Sequence, residues 1–213
     1  MNSKGKGNSY ERDLCKRLSL WWSNDENDSI FWRTASSGGR ATQRAKKGKT
    51  TANQGGDVTF IDASGEPLMK FCSIEIKRGY PDFSIQRIMD RELNTKPSLL
   101  EQWIAQAEQS QKDSKAQSWM LIVKQDRKRE LIILPYLDYM VVTNWAYCKH
   151  KHIIVSDAIA GWGEDSDERD SKNIIAMRLE DFLKAALPEA IKTWVKTKPV
   201  NSLARENSTL NQF

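Results

Sequence analysis

Two carboxylates and a lysine stand close together in this chain of 213 residues: Asp57 in Gly56-Asp57-Val58 and, 18 residues on, Glu75 and Lys77 in Glu75-Ile76-Lys77. The second group ends Phe71-Cys72-Ser73-Ile74-Glu75-Ile76-Lys77, whose partial polar–apolar alternation predicts a strand. Side chains two apart on a strand share a face, so Glu75 and Lys77 point the same way. Asp57 heads another short apolar run, Val58-Thr59-Phe60-Ile61. Two carboxylates at one sheet edge can hold a hard cation through oxygen, with a lysine beside the attacked phosphate. Those groups suit magnesium-dependent hydrolysis of a phosphodiester. A plainer account stays open for the fragments alone: Asp after two glycines suits a turn, and Glu-x-Lys suits a solvated strand face.

The charge distribution adds to the chemical reading. Between Ser36 and Gly56 lie Arg40, Arg44, Lys46, Lys47 and Lys49, with no acidic residue. These five cations equal the net charge of the whole chain, +5, and five of its eleven glycines fall in the same stretch. A basic, glycine-rich loop running into Asp57 suits a phosphate backbone better than a membrane. A solvated linker is the alternative.

The elements that must hold these residues follow from periodicity. Tyr10, Leu14, Leu18 and Trp21 predict a helix over Asn8–Trp22, in which Glu11 is either a capping partner of Asn8 or aimed into a site. Strands are expected at Ser29–Thr34, Asp57–Ile61 and Phe71–Lys77, with Asp62–Pro67 suggesting a hairpin turn between the last two. A short helix is expected within Ile85–Leu93. Ser98-Leu99-Leu100-Glu101 is a capping-box signature opening a helix to about Lys112, with Leu100, Trp103, Ile104 and Ala107 buried and Gln102, Gln106 and Gln109 alongside. Trp119–Val123 and Leu131–Leu134 read as strands, as do Ile153–Val155 and Ile174–Ala176. Leu179–Lys196 reads as a helix kinked at Pro188. Pro135–His150 is ambiguous, and the polar end from Lys198 is expected to fray. The economical solution is an α/β fold: a central mixed sheet flanked by helices.

The chain is 39% hydrophobic and 29% charged, with no stretch approaching a membrane span and no apolar leader at the N-terminus. Its three cysteines, Cys15, Cys72 and Cys148, are scattered and odd in number. They fit neither a disulfide framework nor a zinc site, and point to a reducing cytoplasm. Gly48-Lys49-Thr50 ends like a phosphate-binding loop, but Gln43 stands where its first glycine is required. The only histidines, His150 and His152, lie in a basic run that reads as a solvated tip, and Glu164–Asp170 reads as a solvated acidic loop.

Taken in order, Lys6-Gly7 through Glu11-Arg12-Asp13-Leu14, Arg33-Thr34-Ala35-Ser36-Ser37-Gly38, Gly56-Asp57-Val58 and Ile74-Glu75-Ile76-Lys77 resemble the PD-(D/E)XK nuclease superfamily. Within it they look most like Holliday-junction resolvases of the archaeal and phage type. The Glu101-Gln102-Trp103 helix followed by Trp119–Val123 is similar to phage-encoded members. The resemblance covers about residues 4–135, each piece degenerate but their order fairly specific. It implies a restriction-endonuclease-like core over 1–135 with the basic loop at 36–56. An α/β elaboration would then occupy 136–197, and a polar tail 198–213.

By the same resemblance Asp57 and Glu75 would hold Mg2+ (or Mn2+ in its place) with the carbonyl of Ile76. Lys77 would act on the attacking water and the transition state. Glu11 would reach the site from the first helix, and Gln106 would contact phosphate or water from the second. Ser36 or Ser37 would lie near the scissile phosphate, and the loop cations would meet DNA. The implied activity is a magnesium-dependent endonuclease cutting branched DNA, with a homodimer as a possible form. A restriction-like or nicking enzyme, or a DNA-binding module that does not cut, are the alternatives. Three features depart from the pattern: Gly56 where a proline is usual, a longer loop and Asp57–Glu75 spacing, and 78 residues after Pro135 without a counterpart.

Overall fold

The structure is a computed structural model that describes residues 3–34, 55–88, 90, 95–146, 148–155 and 173–197, with side chains of the first helix from residue 9 onward. Helix α1, Ser3–Ser23, starts five residues before Asn8, so Asn8 is not its cap and Glu11 lies inside it. Leu14, Cys15 and Leu18 face the core. Asn24 and Asp25 end the helix with positive φ angles of 56° and 67°, a conformation that short polar side chains tolerate. Ser19 fastens α1 to the chain entering the first strand: its hydroxyl donates to Cys15 O (2.8 Å) and accepts from Ile30 N (3.1 Å) and Phe31 N (2.9 Å).

Strand β1, Phe31–Arg33, pairs antiparallel with β2, Val58–Phe60, placing Arg33 opposite Val58. Thr34 N donates to Asp57 O at 2.9 Å. The described residues that flank the basic segment, Thr34 and Gly55-Gly56, therefore both lie beside Asp57. Its candidate DNA contacts Ser36, Ser37, Arg40, Arg44, Lys46, Lys47 and Lys49 lie outside the described residues, as do the acidic run 164–170 and the tail 198–213.

The expected hairpin after β2 does not form. Asp62 Oδ1 instead accepts from Ser64 N (2.8 Å) to open a 3-10 turn, Ala63–Gly65, which leads into helix α2, Glu66–Phe71. Pro67 sits in its first turn, where a missing N–H costs nothing, and Leu68 and Phe71 bury. This helix accounts for the long Asp57–Glu75 spacing.

Strand β3, Cys72–Arg78, then enters the main sheet at its edge. Helix α3, Leu99–Ser114, crosses to β4, Ser118–Lys124, which runs parallel to β3. Strands β5 (Leu131–Pro135), β6 (His152–Val155) and β7 (Ile174–Arg178) add antiparallel, giving the order β3-β4-β5-β7-β6. The mixed sheet flanked by helices is the α/β arrangement expected.

Alternation along the central strands sorts the core into two layers. Ile74, Ile76, Met120, Ile122 and Ile132 face α1 and α2. Trp119, Leu121, Val123 and Ile133 face the buried stripe Leu100, Trp103, Ile104 and Ala107 of α3. The α3 start is the capping box read in the sequence: Glu101 N donates to Ser98 Oγ (3.4 Å) and Ser98 N to Glu101 Oε2 (2.7 Å).

The ambiguous stretch after Pro135 contains helix α4, Tyr136–Val142. The last expected helix is two, α5 (Leu179–Ala185) and α6 (Pro188–Thr197). Ala186 is extended between them (φ −79°, ψ 133°), and Pro188 begins a new helix rather than kinking an old one. Of the helix expected within Ile85–Leu93, Ile85–Ile88 form a 3-10 turn and Asp90 lies in a bend.

Candidate active site

Asp57 is laced along the open edge of β3. Its N–H donates to Ile74 O (2.7 Å), and its Oδ2 accepts from Ile76 N (2.8 Å). Gly56 makes this possible. It has φ +84°, and a Cβ there would lie 2.6 Å from Ile74 O. At Gly55 a Cβ would lie 2.3 Å from Ser114 Cβ, so the glycine pair threads between β3 and the last turn of α3. Proline, fixed near φ −65°, cannot stand at position 56 in this backbone. Gly56, standing where the pattern usually has proline, thus supplies the backbone that sets Asp57 against β3.

Glu75 and Lys77 do share a face, the one covered by α3. Lys77 Nζ lies 3.2 Å from Glu75 Oε2. Gln106 joins the two, accepting from Lys77 Nζ at Oε1 (2.7 Å) and donating from Nε2 to Glu75 Oε2 (2.9 Å). Glu75 Oε1 accepts from Ser110 Oγ at 2.6 Å. Glu75 is only 3% exposed, yet both its oxygens are satisfied.

Glu11 approaches from α1, where Arg33 Nε donates to its Oε2 at 3.1 Å. It is an ion-pair partner in the helix interior, so the capping alternative falls away. Burial, and next the charge of Asp57, push the Glu11 carboxyl above its ordinary range, while Arg33 opposes them. Glu75 is raised for the same two reasons in the same order, against Lys77 and Ser110. One carboxylate that raises the proton affinity of two others marks a surplus of negative charge.

That surplus and the donor chemistry fit a hard divalent cation. Asp57 keeps Oδ1 free of the bond to Ile76. Because Ile76 N–H points to the sheet edge, its carbonyl does too, since both groups of a strand residue face the same side. Two carboxylates and a carbonyl are all oxygen ligands, and Mg2+ is commonly held by one or two carboxylates with water completing its shell. Among the described residues no three His, Cys, Asp or Glu side chains gather at metal-holding separations, so the fit is to this two-carboxylate kind of site.

Of the residues singled out in the sequence, Glu11, Asp57, Glu75, Ile76, Lys77 and Gln106 come together. Gln106 touches Lys77 and Glu75, the two residues that any phosphate contact from it would neighbour. His150 lies 3.5 Å from Asp181, beside the sheet edge opposite β3. Sequence reasoning missed two members. Ser110 had a signal, since it stands four after Gln106 on the same helical stripe. Arg33 was visible only as part of a motif, and its role against Glu11 needs the packing of β1 on α1.

Residues 2–193 match the sequence profile of the family described as "Phage putative PDDEXK endonuclease". The chain belongs to this family. The match places it in the PD-(D/E)XK superfamily, and the mixed sheet flanked by helices is consistent with a restriction-endonuclease-like core. No curated protein and no solved structure matches the chain.

Proposed function

We propose that the protein is a magnesium-dependent endonuclease that hydrolyses phosphodiester bonds of DNA, with branched DNA as its substrate. The observation that carries this reading is the convergence of Asp57, Glu75 and Lys77 at the edge of β3, with the described residues that flank the basic segment beside Asp57. Asp57, Glu75 and the Ile76 carbonyl would hold the cation, which supplies Lewis-acid polarisation of the phosphate and a more acidic water. The chain's own groups do the rest. Lys77, held by Gln106 and Glu75, sets positive charge where the five-coordinate phosphorus gathers negative charge. Water oxygen bonds to phosphorus, the bond to the leaving sugar oxygen breaks, and that oxygen takes up a proton. Arg33 pairs with the Glu11 carboxylate at the margin of the site and opposes its protonation. Cations of the segment 36–56 would neutralise neighbouring phosphates and fix the register of the duplex.

Branched DNA is favoured because a long glycine-rich basic segment can follow an opened branch point, and because the motif order resembles junction resolvases. Cutting two strands symmetrically requires two such sites, which a homodimer would supply. Residues 136–197 would then be an elaboration on the nuclease core. The test is incubation of the purified protein with labelled four-way, flap, nicked and linear DNA of one sequence, with and without Mg2+. Cleavage of the branched forms only with the metal is expected. Equal cutting of linear duplex would overturn the branch preference, and no cutting of any form would overturn the nuclease reading.

A further inference from the structure

Three residues past Lys77 the chain makes a turn that the core holds from several sides. As β3 ends, Gly79 (φ +84°) donates its N–H to Lys124 O at 3.1 Å. Just past β4, the Gln125 side chain, only 8% exposed as a residue, reaches into the turn. Its Nε2 lies 2.9 Å from Tyr80 O, 3.1 Å from Pro81 O and 3.0 Å from Phe83 O. An amide nitrogen has two hydrogens, so three carbonyls share them and the turn closes around that one group. Phe83 is buried and stacks on Trp103 at 5.1 Å between centroids. Tyr80 meets the same indole at 4.8 Å and 66°, yet the residue remains 40% exposed.

The location is as informative as the rigidity. Trp103 and Gln106 are one helical turn apart on α3, about 4.5 Å along its axis. Gln106 touches Lys77 Nζ, and Trp103 touches Tyr80. The Tyr80 ring is thus held on Trp103, one turn of α3 from the residue that touches the ammonium assigned to the scissile phosphate. The caging leaves the residue partly exposed and fixes where it is presented.

We propose that Tyr80 is a stacking platform for a base that has lost a neighbour, adjacent to the phosphate being cut. This deepens the nuclease reading and rests on it. In a continuous duplex every base is already sandwiched and offers no face to a side chain. At a nick, flap or branch the flanking base has a free face, and stacking on an aromatic ring is tolerant of base identity. The ring would therefore select discontinuous DNA without reading sequence.

The test compares wild type, Tyr80→Phe and Tyr80→Leu on a nicked duplex and a four-way junction, each with 2-aminopurine at the discontinuity, and on a continuous duplex of the same sequence. Leucine can still cover Trp103 but cannot stack a base. Expected are wild-type behaviour for Phe and, for Leu, about a tenfold rise in Kd on the discontinuous DNAs with less than a twofold change on continuous duplex. The 2-aminopurine fluorescence should be quenched by wild type and Phe and stay bright with Leu. A Leu variant indistinguishable from wild type, or one that loses equally on all three DNAs, overturns the inference while leaving the nuclease reading in place. A wild type that cuts none of the three would overturn that reading, and the role of Tyr80 with it.

Discussion

Ser110 donates a 2.6 Å hydrogen bond to Glu75 Oε1 from a helix that also sends Gln106 to the other oxygen of the same carboxylate. The two donors stand four residues apart, one turn of α3, and hold the carboxylate in one orientation. Ser110→Ala should therefore raise the Mg2+ concentration giving half-maximal activity several-fold, with a smaller effect on the rate at saturating metal. A hydrogen bond to a charged group is worth about 1.5–3 kcal/mol, and Glu75 keeps its bonds to Lys77 and Gln106. Ser110→Thr, which retains the hydroxyl, should restore metal affinity. Metal titration of cleavage checks this, and identical titrations for Ala and wild type would remove Ser110 from the site.

Asp57→Asn and Glu75→Gln should each lower cleavage by roughly 10²-fold or more, the scale on which loss of a charge-stabilising group is felt. Each exchange removes the charge of a proposed ligand at nearly constant volume. DNA binding should persist within a few-fold, since phosphate contacts from other cations supply most of the affinity. Gel-shift and cleavage assays on the same preparations separate the two effects. Wild-type turnover by either variant in Mg2+ would refute the assignment.

Gly56→Ala should cost both stability and activity. An L-residue at φ +84° is strained, by about 1–3 kcal/mol, and its Cβ would meet Ile74 O. Relief requires the backbone to move off β3, which breaks the contacts that place Asp57. A drop in melting temperature together with lost cleavage is expected. Full activity with an unchanged melting temperature would mean that the position tolerates a side chain.

The pairing of Glu75 with Lys77 was legible because period two on a strand is a local rule, and the buried stripe of α3 because its capping box and spacing agree. What was not legible depends on how elements cross. Ser110 matters only because α3 passes over β3 with that turn facing Glu75. Asp62, Ser64 and Pro67 read as hairpin residues because the side chains that favour turns also favour helix starts. Glu11 was ambiguous because α1 extends back through Gly5 and Gly7, residues of poor helix propensity that hid its true beginning. Gly56 looked like a defect in the motif until its φ angle and its approach to Ile74 gave it a reason.

Replacing Arg40, Arg44, Lys46, Lys47 and Lys49 together with Gln should flatten the dependence of log affinity on log salt. Each phosphate contact contributes a slope of about −0.9 on duplex DNA, so five contacts would remove up to about 4.5. Because the residues flanking the segment lie beside Asp57, lost contacts should also reduce cleavage at physiological salt more than at low salt. Fluorescence anisotropy across a salt series reads the slope directly. An unchanged slope would exclude this segment as the main DNA contact.

Asp138 offers a prediction independent of the nuclease reading. In α4 its Oδ2 accepts from Ser118 Oγ at 2.5 Å, and burial raises its carboxyl from the ordinary 3.8 to about 6 despite that bond. A folded state that holds the proton more tightly than the unfolded one is favoured at low pH. The contribution is fully present below about pH 4 and is lost as pH rises through about 6. A rise of that size corresponds to at most about 3 kcal/mol. Asp138→Asn keeps an acceptor for Ser118 and cannot ionise, so it should leave stability near pH 4 unchanged and raise it above pH 7 by about 1–3 kcal/mol. Urea unfolding of both proteins between pH 4 and pH 8 measures the difference. A gain that does not grow with pH would show that the buried carboxylate does not titrate between the two states in that range.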